Sequence, residues 1–353
     1  IAEHRMGEYK MTEAADARKL TFAIMADQFL DRYARPKLRA RTVEEYTRTL
    51  KGERTRAWLA KPIASISRRD VMSLLDDLEA EGKHPTAKLT LAYLRKFFGW
   101  CAERDAISEV PTYRIRLNGT VKPRERVLSL DELQRVWWAA DKVGGAGGAL
   151  VKLLMLNGQR RHETSMMRWR DLSGLENGSA LWSIPGEVTK NHRPHDVPLA
   201  PEAVAVIRSL PIIAIQTDTG EDWSEFVLTT TGRTPWSGFS KLKAQIDKQL
   251  AAQIAEEEAE PLAPWTMHDL RRSLVTGMND RGLAPPHIIE AIVNHISGHR
   301  GGIAGIYNKA VYMDERRRAL EAWAKLIADP AAESSNVVPM RTGTTDDMEP
   351  ATA

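Results

Sequence analysis

Between Trp265 and Ile327 lie two histidines, an arginine and a tyrosine whose types suit one kind of chemistry. His268 and Arg271 stand one helical turn apart in Thr266-Met267-His268-Asp269-Leu270-Arg271-Arg272, so on a helix both side chains project from one face. His295 follows in Val293-Asn294-His295, and Tyr307 in Ile306-Tyr307-Asn308. Substitution at a phosphodiester passes through a five-coordinate phosphorus with added negative charge on its non-bridging oxygens. Arginine suits that charge, being always protonated and able to donate two parallel hydrogen bonds. A phenol, with an ordinary pKa of about 10, needs positive surroundings or a base before it attacks at neutral pH. Upstream, Arg160 begins a helix after Gly158, where main-chain N–H groups also favour an anion. Lys190, on an expected hairpin tip, is a reachable donor for a leaving 5′-oxygen.

Each of these residues also has a plain structural reading. A helical arginine often pairs with a carboxylate, and Glu163 and Asp269 are at hand. Histidines beside apolar residues are commonly satisfied in a core. Tyr307 has a rival in Tyr312, and a lysine in a turn is usually just solvated. The joint occurrence carries the chemical reading, not any single residue.

The elements that must hold them fall into two blocks. Phe22, Met25, Ala26, Phe29, Leu30 and Tyr33 recur at intervals of three and four and predict an amphipathic helix. Thr42 is expected to cap a second helix, with acids in its first turn. Ser67 precedes a third, whose stripe is Val71, Leu74, Leu75 and Leu78, and Gly82 ends it. A fourth runs from Ala87 to Ala102. Residues 21–110 therefore read as a small all-α domain, with 1–20 as a linker helix before it. Residues 111–128, holding Pro111, Gly119 and Pro123 among five basic side chains, read as an interdomain linker.

The second block, 129–329, starts at the capping signature Ser129-Leu130-Asp131-Glu132. The glycines from Gly144 to Gly148 read as flexible, and an apolar helix follows from Ala149 to Leu156. Strand signals appear only in the middle. Ala180–Ile184 and Asp196–Leu199 are expected to pair across the turn that holds Lys190, and Phe226-Val227-Leu228 is a third short candidate. The chain is helical again after Gly238. Residues 330–353, rich in Ser, Thr, Pro and Asp, read as a disordered tail. The fold class expected is mainly α with a small antiparallel sheet: an all-α domain followed by an α+β domain.

Composition narrows the function classes. The 353 residues are 42% hydrophobic and 27% charged, ordinary for a soluble protein of two domains. No apolar run is long enough to span a bilayer, so no membrane partner is expected. One cysteine, Cys101, leaves no internal disulfide and fits the reducing cytoplasm. Its neighbours Phe97, Phe98 and Trp100 make it core packing rather than a reactive thiol. No Cys/His set or carboxylate cluster has metal-ligand spacing, and no Gly-rich phosphate loop ends in Gly-Lys-Ser/Thr. The net charge of +3 is uneven: residues 21–125 hold 21 Lys+Arg against 14 Asp+Glu, a surplus suited to tracking phosphates.

Taken in order, these boxes resemble the tyrosine recombinases, or phage-integrase family, over roughly Thr21 to Ile327. Leu156-Asn157-Gly158-Gln159-Arg160-Arg161-His162-Glu163 resembles the first box, Thr189-Lys190 the lysine hairpin, and His268-Asp269-Leu270-Arg271 the His-x-x-Arg box. Asn294-His295 is similar to the third box and Gly305-Ile306-Tyr307 to the nucleophile segment. The close, Gly301 to Asn308 and then Ala319 to Trp323, resembles the prophage-integrase branch. Asn157 stands where many relatives have Thr, and His162 where they have a small residue. The interval from His295 to Tyr307 is long, spaced by Gly298, Gly301 and Gly302, which makes His299 a minor rival for the third-box role.

The resemblance implies a site-specific recombinase that integrates or excises a prophage or genomic island. Tyr307 would attack the scissile phosphate and form a 3′-phosphotyrosyl bond. Arg160 and Arg271 would hold the non-bridging oxygens, Lys190 would protonate the leaving 5′-oxygen, and His268 would assist at the tyrosine. His295 would donate a hydrogen bond to the phosphate, and Glu163 would orient Arg160. No cofactor is implied, neither ATP nor metal. The implied partners are double-stranded DNA attachment sites, three further copies in a tetramer, and accessory DNA-bending or directionality proteins. Leu320, Trp323 and Ile327 are either a docking face for a neighbouring copy or packing within their own domain. Two rival readings are a DNA-binding protein of the same fold without strand transfer, and a relaxing topoisomerase. Ile1 in place of an initiator methionine, with no arm-binding domain before residue 21, is expected of a chain lacking its natural start.

Overall fold

A computed structural model of the chain describes residues 20–117, 125–217, 220–295 and 311–328. Residues 1–19 of the linker helix expected at 1–20, the tail expected at 330–353, Tyr307 and His299 lie outside the described residues. Among the described residues no helix is long and apolar enough to cross a membrane. The chain divides into two compact units that meet in sequence at Arg124 and Glu125.

The first unit is helical: α1 (Phe22–Phe29), α2 (Ala40–Lys51), α3 (Arg68–Ala80) and α4 (His84–Ala102). Thr21 caps α1, its hydroxyl accepting the Ile24 N–H at 3.3 Å. The periodicity read from Phe22 to Tyr33 continues past α1 through a π-helical segment, Leu30–Ala34. Ser67 opens α3 with a reciprocal capping box to Asp70. Thr42 is not a cap, contrary to expectation. Leu38 and Arg39 are extended, and the good helix former Ala40 starts α2 three residues earlier than expected, with Arg39 at the cap position. The core is aromatic, with Phe22 edge-on to Phe97 at 5.2 Å and Phe29 edge-on to Trp100 at 5.5 Å. Cys101 is buried there, and burial pushes its thiol up to about 12. Within the stretch read as a linker, Ile115 is buried in this unit and Leu128 in the other.

The second unit combines helices with two small antiparallel sheets. Its elements are α5 (Leu130–Val143), α6 (Gly145–Asn157), α7 (Arg161–Ser165), β1 (Leu172–Ser173), β2 (Leu181–Ile184), β3 (His195–Pro198) and α8 (Pro201–Arg208). They continue with β4 (Ala214–Thr217), β5 (Gly220–Trp223), α9 (Phe239–Glu256), α10 (Met267–Asp280), α11 (Pro286–Ile292) and α12 (Met313–Ala328). The sheet order is β1-β2-β3, with Trp182 opposite Val197 and Ile184 opposite His195. Ser129 and Glu132 form the expected capping box of α5.

Two expectations for this unit need correction, and one hairpin is additional. The glycines after Val143 are not a loose spacer, because α6 starts at Gly145. A Cβ on Gly148 would lie 2.2 Å from the Ala140 carbonyl oxygen, so the missing side chain lets α6 lie against α5. Phe226 to Leu228 is not a strand; Phe226 makes only an isolated bridge with Arg168. The hairpin β4–β5 was not anticipated, since its residues are polar or exposed and bury no alternating face.

Helix α12 packs within its own unit. Leu320, Trp323 and Ile327 are buried, and Trp323 Nε1 donates to the Met155 carbonyl at 2.9 Å. Of the two readings of that stripe, the structure takes packing on its own domain. The Trp323 ring lies over Gly277, where a Cβ would come within 2.6 Å of it.

Candidate active site

Arg160 occupies the N-cap of α7 because Gly158, left-handed at φ 62°, turns the chain out of α6 two residues before it. The Arg160 Nη1 donates to Glu163 Oε1 at 2.8 Å, while Glu163 Oε2 accepts the Arg160 main-chain N–H at 3.3 Å. Glu163 is only 2% exposed, and the same Oε1 accepts the main-chain N–H of Lys190 at 3.0 Å. One buried carboxylate therefore fixes both the first arginine and the turn between β2 and β3. The Lys190 side chain itself is exposed.

Arg271 and His268 share α10, whose start is capped reciprocally by Thr266 and Asp269. Asp269 also pairs with Arg272 at 2.5 Å. The Arg271 guanidinium, in a residue 8% exposed, donates instead to two carbonyls: Gly158 at 2.8 Å, and Val293. Among the described residues it makes no ion pair. Burial first, and the Arg160 guanidinium second, bring its pKa down to about 10. It is still a cation at neutral pH, held beside another cation. Burying such a charge without a carboxylate is unfavourable unless an anion completes it.

His268, exposed in the first turn of α10, has its pKa lowered by partial desolvation and then by the guanidiniums of Arg271 and Arg272. At neutral pH the ring is therefore held toward its neutral, proton-accepting form. His295 follows α11 and is exposed, its main-chain N–H donating to the Glu290 carbonyl at 3.1 Å. Its neighbour Asn294 is left-handed at φ 51°, and the Asn294 carbonyl accepts Arg160 Nη2 at 3.4 Å.

The structure thus brings Arg160, Glu163, Arg271, the Lys190 turn and the start of the third box into one hydrogen-bonded group. Tyr307 lies outside the described residues. Tyr312, its rival, sets its ring edge-on to His287 at 5.2 Å and packs on the core at the start of α12. Several supports were not foreseen. The Asn191 amide pairs with that of Asn294. Gln159 Nε2 donates to Asn157 and Ile292 carbonyls at 2.8 Å each. His195 Nε2 lies 2.9 Å from the Ile292 carbonyl. Their one sequence signal is proximity to the boxes, since all but the Gln159–Asn157 bond join residues about a hundred positions or more apart. Among the described residues, no group of three or more His, Cys, Asp or Glu is arranged to hold a metal ion.

A family profile described as "Phage integrase family" matches residues 126–310, and one described as "Phage integrase central domain" matches residues 22–118. The chain belongs to the phage integrase family. It is 27% identical over 286 residues to prophage integrase IntZ of Escherichia coli (strain K12), covering 78% of this chain and 63% of that protein. It is 22% identical over 283 residues to prophage integrase IntA of the same strain, covering 78% and 62%. The chain thus spans about three-fifths of the length of these relatives. Among solved structures, a lambda integrase tetramer bound to a Holliday junction matches with a TM-score of 0.59 at 18% identity, covering 79% of this chain and 78% of that one. The Tn1549 transposon integrase in complex with a circular intermediate DNA matches with a TM-score of 0.60 at 16% identity, covering 79% and 92%. These neighbours share the fold: mainly helical, with small antiparallel sheets.

Proposed function

We propose that this integrase-family chain is a site-specific DNA recombinase that cleaves and rejoins strands through a phosphotyrosyl bond. The observation that carries the reading is the Arg271 guanidinium, buried beside Arg160 and, among the described residues, without an ion pair of its own. Glu163 balances one of the two charges, the other calls for an anion, and a scissile phosphate is the anion that this family's chemistry supplies.

Tyr307 then attacks phosphorus, forming the bond to the DNA 3′-phosphate and releasing the 5′-oxygen. Arg160 and Arg271 hold the non-bridging oxygens, whose charge grows in the transition state. His268, kept neutral, accepts the phenol proton. Lys190 returns a proton to the 5′-oxygen, and His295 donates a hydrogen bond to the phosphate. Glu163 positions Arg160 and the Lys190 turn together. The covalent link conserves the phosphodiester energy, so the residues of this chain perform the exchange without ATP.

The partners proposed are duplex attachment sites, with four copies of the chain on two duplexes, aided by accessory DNA-bending or directionality proteins in the cytoplasm. The basic surplus of residues 21–125 supports contacts with backbone phosphate, which give strong salt dependence and little sequence choice. The test is a nicked suicide duplex carrying the junction sequence of the element that encodes the chain. The unaltered chain is expected to form a covalent adduct, and Tyr307→Phe to bind without forming one. Binding without an adduct by the unaltered chain would leave a DNA-binding protein of the same fold instead. An adduct lost in Tyr312→Phe but kept in Tyr307→Phe would move the nucleophile.

A further inference from the structure

Asn191 and Asn294 come from segments 103 positions apart and meet amide to amide. Asn191 Nδ2 donates to Asn294 Oδ1 at 2.8 Å, and Asn294 Nδ2 donates back to Asn191 Oδ1 at 3.4 Å. Asn191 Oδ1 also accepts the Arg193 main-chain N–H at 3.3 Å, which shapes the turn itself. Asn294 is only 6% exposed and left-handed, a conformation that glycine adopts without strain and asparagine tolerates better than most residues. Glycine would serve the backbone there, so the asparagine side chain is explained by what it holds.

The pair closes a circuit. Arg160 binds Glu163, Glu163 binds the Lys190 N–H, Asn191 binds Asn294, and the Asn294 carbonyl binds Arg160 again. Lys190 therefore sits between two anchors, its own N–H and the side chain of the next residue, while its amine is left exposed. Within the turn, Thr189 Oγ1 also donates to the Gly186 and Arg193 carbonyls, but those bonds shape the turn internally, whereas Glu163 and Asn294 tie it to the elements that hold Arg160. We propose that Asn191 and Asn294 are positioning residues, an amide clasp that sets where the Lys190 amine stands relative to Arg160. The inference rests on the recombinase reading and adds to it the means by which the proton donor is placed.

In that reaction the phenol oxygen bonds to phosphorus while the bond to the 5′-oxygen breaks, and the Lys190 ammonium gives that oxygen its proton. A 5′-bridging sulfur leaves as a thiolate and needs no proton. Nicked suicide duplexes with oxygen or sulfur at that position therefore separate a misplaced lysine from a damaged phosphate site. Asn294→Gly keeps the backbone and removes the clasp; Asn191→Ala removes it from the other side. Each is expected to slow cleavage of the oxygen substrate by about 10–100-fold, the scale of a misplaced proton donor. Cleavage of the sulfur substrate and DNA affinity should stay within about threefold of the unaltered chain. The double variant should be no slower than the worse single one, because both remove the same contact.

Unchanged cleavage of the oxygen substrate overturns the clasp, and so does an equal loss on both substrates. An unaltered chain that forms no adduct sinks the recombinase reading, and the clasp's role in catalysis with it. Amide exchange then decides whether the clasp exists at all. Asn294→Gly should speed exchange at Lys190 and Arg193, and unchanged protection there overturns it.

Discussion

Glu163→Gln removes one charge and hardly any volume from the centre of the site. Glu163 Oε1 accepts two donors, Arg160 Nη1 at 2.8 Å and the Lys190 N–H at 3.0 Å, and Oε2 accepts a third, the Arg160 N–H at 3.3 Å. The better orientation of glutamine keeps its oxygen at the doubly bonded position. Its amide NH2 then faces the Arg160 N–H, donor against donor. One bond is lost outright, at about 1 kcal/mol, and the guanidinium bond falls from charge-assisted to neutral strength, at about another 1 kcal/mol. The Arg160 side chain is 23% exposed, so water recovers part of the second loss. The net expectation is a loss of about 1–2 kcal/mol, or about 2–8 °C in the unfolding temperature of the larger unit. Single-turnover cleavage of a suicide duplex should fall more, by about 100-fold, since both the arginine and the lysine turn lose their common anchor. Thermal unfolding and cleavage are measured on the same preparation. Cleavage at the unaltered rate with the expected thermal loss would refute the positioning role of Glu163. An unchanged unfolding temperature would refute the energetic reasoning.

Three other outcomes follow from particular contacts. Gly277→Ala gains about 1 kcal/mol of helix propensity, but its Cβ meets the Trp323 ring at 2.6 Å, where overpacking costs about 1–3 kcal/mol and threatens the bond to Met155; urea unfolding should show net destabilisation, partly relieved by Trp323→Phe. His268 has its pKa lowered below the ordinary 6.5, so the folded state binds fewer protons there than the unfolded one. Its contribution to stability is intact above pH 6.5 and declines as pH falls from 6.5 toward the folded pKa, a slope that His268→Asn should flatten. Cys101, buried with its thiol pushed up to about 12, should resist iodoacetamide in the folded chain and react on unfolding.

What could be read from the sequence was local. The stripe Val71, Leu74, Leu75, Leu78 and the capping residues Ser67 and Ser129 declared their helices because periodicity and caps act within a few residues. The β2–β3 pairing was legible for the same reason, with alternating residues flanking one turn. The exposed β4–β5 hairpin, where Trp223 is 62% exposed, had no buried face to announce it. The glycines at the start of α6 looked like a spacer because their purpose, contact with Ala140, belongs to another helix. At the site, the residue types in the boxes were visible, whereas the carbonyl partners of Arg271 and the amide pair Asn191–Asn294 were not. Those bonds join distant segments, and nothing in the local pattern encodes them.

The most direct measurement of the account is to find the tyrosine that carries DNA. Lys309 separates the two candidates, so trypsin yields Tyr307 within Gly301–Lys309 and Tyr312 within Ala310–Arg316. Mass spectrometry of the adduct from a suicide duplex should find the 3′-phosphate-linked nucleotide on the Gly301–Lys309 peptide. A nucleotide on the Ala310–Arg316 peptide, or linked through a 5′-phosphate, would contradict it.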